Sequence, residues 1–197
     1  NTEETPKPAN NEIWYTATAK VEPTYDDAPT FGAFGVSNVW DSETKRGIIA
    51  FDGDVTMIGE GAFDNCDKLT GVTLPECVTS IGKKAFYDCD GLTEFTIPDS
   101  VTEIGSSAFY GCDKLTIVTI SDSVTTIGSS AFRECKSLKE FKGKFATEDG
   151  CSLIVDNTII AYANASGTTY TIPDSVTTIG DSAFYNCDSL TSVNIPD

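Results

Sequence analysis

Seven cysteines and thirty acidic residues are the groups with which this chain could do chemistry, and histidine is absent. Without histidine the usual general base, proton shuttle and commonest metal ligand are all missing. Five of the cysteines, Cys66, Cys89, Cys112, Cys135 and Cys187, fall at one position of a recurring pattern. Side chains stacked in parallel at about 4.8 Å fit disulfide geometry poorly. Such a ladder is therefore expected to pack as small, inert thiols. Cys77 and Cys151 lie off the ladder and are candidates for exposure, with Cys77 at the turn position that Ser100 holds in the next period. Asp67, Asp90, Asp113 and Asp188 follow the ladder cysteines, and Asp99, Asp122 and Asp174 recur in a second column. Stacked carboxylates can bind calcium, but neither column forms a calcium loop, and aspartate is an ordinary turn and capping residue. No metal or cofactor site is expected. The recurring glycines make no phosphate-cradling loop. No enzyme motif is present, and the chain reads as non-enzymatic.

These residues are positioned by an internal repeat. An Ile-Gly pair occurs at Ile58, Ile81, Ile104 and Ile127 with a strict spacing of 23 residues. A period of this size marks a solenoid. Within one period, Leu92, Phe95 and Ile97 point inward from a strand while Glu94 and Thr96 point outward. Pro98, Asp99 and Ser100 turn the chain, and Val101 and Ile104 begin a second short extended segment. Gly105 supplies permissive backbone for the next change of direction. Ser106, Ser107, Ala108 and Phe109 suit one or two helical turns capped by a serine. Core columns are expected at Ile81, Ile104, Ile127 and Ile179, and at Phe86, Phe109, Phe132 and Phe184.

The repeat is interrupted once and flanked by atypical sequence. The Ile-Gly pair after Ile127 lies at Ile179, 52 residues on, so one coil has gained about six residues. Asp156 and Asn157 stand between two apolar runs there and suit a two-residue hairpin turn, giving a degenerate hairpin coil over about 143–172. Residues 1–10 read as a flexible polar tether. Residues 11–45 read as a cap, with strand-like alternation in 11–21, a turn at Tyr25–Pro29, and Trp14, Tyr15, Phe31, Phe34 and Trp40 as cover for the first coil. The solenoid is assigned to residues 46–197.

Composition narrows the partners. Thirteen basic against 30 acidic residues give a formal charge of −17, which repels nucleic acid and anionic lipid surfaces. Nor is there an apolar run long enough to be read as a transmembrane segment.

The Leu-x-x-apolar-x-apolar strand is the leucine-rich repeat signature, and the string IPDSVTEIGSSAFYGCDKL resembles the BspA-like leucine-rich repeat family of bacterial cell-surface proteins. The opening NEIWY is similar to the amino-terminal segment of surface-anchored members. The resemblance implies an α/β right-handed solenoid of about six 23-residue coils, with a parallel sheet, short helical turns and an amino-terminal β cap. It further implies export, placement at the cell exterior, anchoring as a lipoprotein through a segment upstream, and adhesion to a host protein, another cell or a glycan. It carries no binding residue across. The alternative is a structural spacer or assembly module within a larger surface protein.

Two surfaces are candidates for a partner. The outward strand face carries Thr73, Glu94, Thr96, Ile117, Thr119, Glu140 and Lys142, with Gly71, Ser192 and Asn194 expected in the same columns. Repeat proteins present such faces to partners, although threonine also simply suits an exposed strand. A second column contains Tyr87, Tyr110, Arg133 and Tyr185. Tyrosine and arginine are favoured at binding hot spots, and equally serve to cover aliphatic stems on a convex surface.

Overall fold

A computed structural model describes residues 6–24 and 30–196, so the turn expected at Tyr25–Pro29 lies outside the described residues. The cap contributes β1 (Glu12–Ala17), β2 (Gly35–Asp41) and β3 (Arg46–Phe51). The coils then alternate short and longer strands: β4 (Met57–Ile58), β5 (Leu69–Thr73), β6 (Ser80–Ile81), β7 (Glu94–Thr96), β8 (Glu103–Ile104), β9 (Ile117–Ile120), β10 (Thr126–Ile127) and β11 (Glu140–Gly143). The irregular coil supplies β12 (Ser152–Val155) and β13 (Thr158–Tyr162), followed by β14 (Thr169–Thr171), β15 (Thr178–Ile179) and β16 (Ser192–Asn194). The result is a β-solenoid of about six turns with parallel sheets. The first four Ile-Gly strands form one ladder in the order β10-β8-β6-β4, and three of the longer strands form another, β11-β9-β7.

The helical turns expected at Ser106–Phe109 and its equivalents are replaced by a ladder of tight turns; the described residues contain no helix. The reason lies in where the amides go. The N–H of Ala85 and Tyr87 bond three residues back, to Gly82 and Lys84, while those of Lys84, Phe86 and Asp88 bond across to Ser106, Ala108 and Tyr110 of the next coil. A helix would direct its bonded amides to carbonyls of its own segment. Here every second amide holds two coils together instead. Lys84, Ser107, Ser130 and Ser182 take positive φ of 55–61° at one turn position, and Asn65, Asp88, Glu134 and Asn186 take 50–64° at another. Left-handed backbone costs a non-glycine residue roughly 1–2 kcal/mol, a cost offset by the bonds between coils. Ser107 thus serves by its backbone, bonding to Ser129, rather than as a helix cap.

The core is a stack of identical positions. Phe63, Phe86, Phe109 and Phe132 lie face to face with ring centroids 5.1, 5.2 and 5.4 Å apart. Ile58, Ile81 and Ile104 are buried beside them. Cys89, Cys112 and Cys135 are buried too, and each donates its S–H to a carbonyl of the preceding coil, at Phe63, Phe86 and Phe109. Threonine hydroxyls form a further ladder, Thr125 to Thr102 to Thr79 to Thr56, each donating to a carbonyl 23 residues back. The expected core column fails at its end: Ile127 is half-buried and Ile179 is 49% exposed. Both stand on edge strands: β10 ends its ladder because the irregular coil that follows pairs β13 with β15 instead, and β15 is itself the outer strand of that sheet. Phe184 is only partly buried and belongs with Ile159, Tyr162, Tyr170 and Ile172 to a second, smaller core.

That second core follows from the irregular coil. Asp156 and Asn157 both have positive φ, 47° and 59°, and join β12 to β13 as an antiparallel hairpin. β13 then pairs in parallel with β15, and β14 with β16. The hairpin therefore splits the ladder of longer strands. Ser192 and Asn194, expected in line with Glu140 and Lys142, lie in a separate two-stranded sheet with Thr169 and Thr171.

At the other end the amino-terminal strand enters the solenoid sheet. The order β2-β3-β1-β5 places β1 antiparallel between β3 and β5. Residues 7–11 are docked as well: Val55 and Phe51 donate backbone N–H bonds to Asn10 and Asn11, and Lys7 pairs with Glu76. Tyr15 and Phe31 are buried and Trp14 and Trp40 half-buried, but Phe34, expected as cover, is 57% exposed.

Candidate partner-binding faces

Three strands position the outward strand face. β7, β9 and β11 pair in parallel register, which aligns Glu94 with Ile117 and Glu140, and Thr96 with Thr119 and Lys142. Between these rows Phe95, Val118 and Phe141 point inward and are buried. The outward rows are spaced by about 4.8 Å from strand to strand. Ile117 is half-buried between two carboxylates, and Lys142 reaches Glu140 at 3.5 Å. Thr73 stands apart from these rows: it belongs to the cap sheet, opposite Trp14, and Gly71 stands opposite Thr16. β5 meets β7 where the Thr93 N–H bonds Thr70. The cap thereby continues the face outward. Trp14 is in register with Ile48, and Ile48 with Val39, forming an apolar row in line with Thr73. Sequence reasoning missed Ile48 and Val39. The alternation in 11–21 marked a strand, but nothing local says that β1 enters between β3 and β5.

The second column is a stack of rings interleaved with cations. Tyr87 and Tyr110 lie 4.8 Å apart and nearly parallel, Lys84 sits over the outer face of Tyr87, and the Arg133 guanidinium sits between Tyr110 at 5.7 Å and Tyr185 at 3.6 Å. Arg133 also donates to the Ser182 hydroxyl, and Asn186 to Glu134. Each of these cations already has its aromatic face, so the column ties the turns of successive coils together, with Tyr185 at its end 41% exposed.

Beside it runs an open trough of about 580 Å³ lined by Asn65, Asp67, Asp88, Asp90, Asp113 and Glu134, among others. Burial, then the neighbouring Asp90, Asp64, Asp113 and Glu134 carboxylates, push the Asp88 carboxyl above its usual range. Lys136 bridges to Asp113 at 2.9 Å. Among the described residues no three carboxylates or thiols converge as metal ligands.

Burial disfavours the thiolate, and with it nucleophilicity, at Cys66, Cys89, Cys112 and Cys187. Burial, then Asp64 and Asp67, push Cys66 up to about 11, and burial and Asp188 push Cys187 up to about 11. Burial also raises Cys89 and Cys112 well above the ordinary thiol range. Cys77 and Cys151, the two candidates for exposure, are half-buried. The Cys77 S–H donates to the Val55 carbonyl at 3.1 Å, as the Ser100 hydroxyl donates to Val78 at 2.6 Å. A thiol there does the work of the serine.

Coils that exchange hydrogen bonds at a 23-residue spacing, around a column of stacked phenylalanines, define a leucine-rich repeat solenoid. The model of the BspA type leucine rich repeat region matches six copies over residues 45–149 and 158–197, and the chain belongs to that family. Among solved structures it is similar to a leucine-rich repeat protein from Eubacterium ventriosum, with 26% identity, a TM-score of 0.57, and coverage of 71% of this chain and 41% of that one. The pneumococcal vaccine antigen PcpA shares the fold, with 22% identity, a TM-score of 0.53, and coverage of 73% and 43%. The Treponema pallidum (T. pallidum) leucine-rich repeat protein matches with 28% identity and a TM-score of 0.48, over 72% of this chain and 52% of that one. The chain thus matches about half the length or less of these proteins. No curated protein is significantly similar in sequence. No catalytic family is indicated by these matches.

Proposed function

We propose that the chain is a non-enzymatic binding module displayed at the cell exterior, and that it engages a protein or glycan partner through the outward strand face. The observation that carries this reading is the register of Glu94, Ile117 and Glu140 beside Thr96, Thr119 and Lys142. Their inward neighbours are committed to the core, so specificity has only the outward positions to reside in. The face offers an apolar centre flanked by carboxylates on a chain of net charge −17, which favours basic or neutral partners over polyanions. Display outside the cell draws its support from family membership; anchoring through lipid belongs to the same reading. The second column is the weaker candidate, because Tyr87, Tyr110 and Arg133 already engage one another and Lys84.

A screen of the purified chain against extracellular-matrix proteins and glycans supplies the partner. Reversing charge at both Glu94 and Glu140 to lysine is then expected to weaken a basic partner by about tenfold or more, with the loss shrinking as salt is added. The melting temperature should stay within about 2 °C, because neither carboxylate is buried and surface substitutions of this kind change stability little. Unchanged affinity in this variant, with loss on substituting Tyr110 and Tyr185, would assign binding to the other column.

A further inference from the structure

The outermost strand of the cap is unprotected. β2 pairs with β3 on one side, and among the described residues no strand pairs with its other side. Sheet edges are usually blunted by lysine, proline, short length or a bulge. β2, GVSNVWD, has neither lysine nor proline, and its bulge lies at Val36 near one end, leaving Ser37–Asp41 in regular register with β3. Its exposed apolar side chains are unusual: Val36 and Val39 are each 67% exposed, and Ile48 on the adjoining strand is 42% exposed. Val39 and Ile48 are in register and extend the row to Trp14. By contrast, Asn38 and Trp40 face inward. The Asn38 side chain accepts from the Tyr15 hydroxyl and donates to the Val21 carbonyl, and Trp40 packs on the main core. The strand is therefore held rigidly from its inner face while its edge and outer face stay open.

We propose that β2 is a docking edge for an extended segment of a partner polypeptide, which adds a strand along Ser37–Asp41 and seats alternate apolar side chains against Val39 and Ile48. Main-chain bonds to the free edge supply affinity, and the apolar row supplies the alternation. Charge selects the segment further. At the Phe34 end, the Asp52 carboxylate accepts from the Phe34 N–H, with Asp54 close by in sequence. At the other end, Asp41 accepts from the Glu43 and Thr44 amides and faces Arg46 across the ladder. A basic residue is thus favoured at the Phe34 end, where no cation of β2 or β3 faces the carboxylate. A second copy of the chain is a poorer occupant, since each copy carries a net charge of −17. The inference rests on reading the chain as a binding module but places this contact on the cap, away from Glu94 and Glu140.

The test uses the whole chain and a fluorescent synthetic peptide of alternating valine and threonine with a lysine at each end. Saturable binding is expected, weakened about tenfold or more when alternate amides of the peptide are N-methylated, since added strands bind through main-chain bonds. Val39→Lys should weaken it similarly with an unchanged melting curve, and the Glu94→Lys, Glu140→Lys double variant should leave it within about twofold. Equal binding of the methylated peptide, or of the Val39→Lys chain, overturns the proposal. Loss only in the double variant would place the peptide on the strand face, which removes this inference and leaves the proposed function standing. Concentration-dependent dimerisation that Val39→Lys abolishes would make a second copy the occupant and equally overturn it.

Discussion

Phe109→Ala is expected to lower the unfolding free energy by roughly 3–5 kcal/mol, towards the upper end of that range. Phe109 is fully buried, stacked between Phe86 and Phe132 at 5.2 and 5.4 Å, and meets the edge of Phe95 at 4.8 Å. Each such aromatic pair contributes about 0.5–1.5 kcal/mol beyond simple burial, and truncation removes three of them at once. The cavity cannot collapse easily. Its walls are the backbones of coils fixed to one another by hydrogen bonds at every second turn amide. The melting temperature of a domain of this size should fall by roughly 6–20 °C. Ser107→Ala, two residues away, is the control. Serine and alanine pay a similar cost for a φ of 55°, and the backbone bonds do not depend on the side chain. Its melting curve should stay near that of the parent; equal losses in the two variants would contradict the inward stacking of Phe109.

Gly105→Ala is expected to cost about 3 kcal/mol or more, beyond the usual range for an added methyl group. The glycine is required by proximity rather than by a left-handed backbone. A Cβ at Gly105 would lie 2.5 Å from the Lys83 nitrogen and 2.6 Å from the Gly82 carbonyl carbon, both backbone atoms of the preceding coil. Gly128 stands in the same relation to Ser106, with 2.3 Å to its nitrogen. Flexible side-chain ends could yield to a methyl group, but here the backbone ladder itself must open. The Gly105 N–H bond to the Ile81 carbonyl, at 2.7 Å, opens with it. Gly167 provides the comparison, since its added Cβ would meet nothing closer than the Thr169 carbonyl oxygen at 3.9 Å. Urea titration should show a large drop in midpoint for Gly105→Ala and a shift worth about 0.5 kcal/mol or less for Gly167→Ala. Indistinguishable midpoints would mean that the coils are not packed at this separation.

Much of the architecture is legible because repetition makes register visible. A constant 23-residue spacing of Ile-Gly pairs aligns every position with its equivalent, so the alignment of Glu94 with Ile117 and Glu140 follows from counting. Asp156-Asn157 was legible for a different reason, since two residues that tolerate positive φ between apolar runs describe a turn without outside help. The turn ladder was not legible. Ser106–Phe109 has a composition compatible with a helix, and the choice against it is made by carbonyls in a neighbouring coil, which no local reading of propensity contains. The same limit hid the cap row. β1 alternates visibly, but its insertion between β3 and β5 is a long-range pairing, and with it goes the alignment of Trp14, Ile48 and Val39. Of the candidate faces, the outward strand residues could be named from the period. Whether the rings of the aromatic column stood free or interleaved with cations depended on Arg133, whose guanidinium lies 3.6 Å from the Tyr185 ring across the enlarged coil.

Carboxyl footprinting compares the two faces in a single measurement. A carbodiimide labels accessible carboxylates, and mass spectrometry reads the rate at each one with and without a saturating partner from the matrix and glycan screen. The strand face presents Glu94 and Glu140, while the trough beside the aromatic column presents Asp67, Asp90 and Asp113. The account predicts slower labelling of Glu94 and Glu140 in the complex, with the three aspartates unchanged. Protection of Asp67, Asp90 and Asp113, with Glu94 and Glu140 labelled as fast as in the free chain, would contradict it.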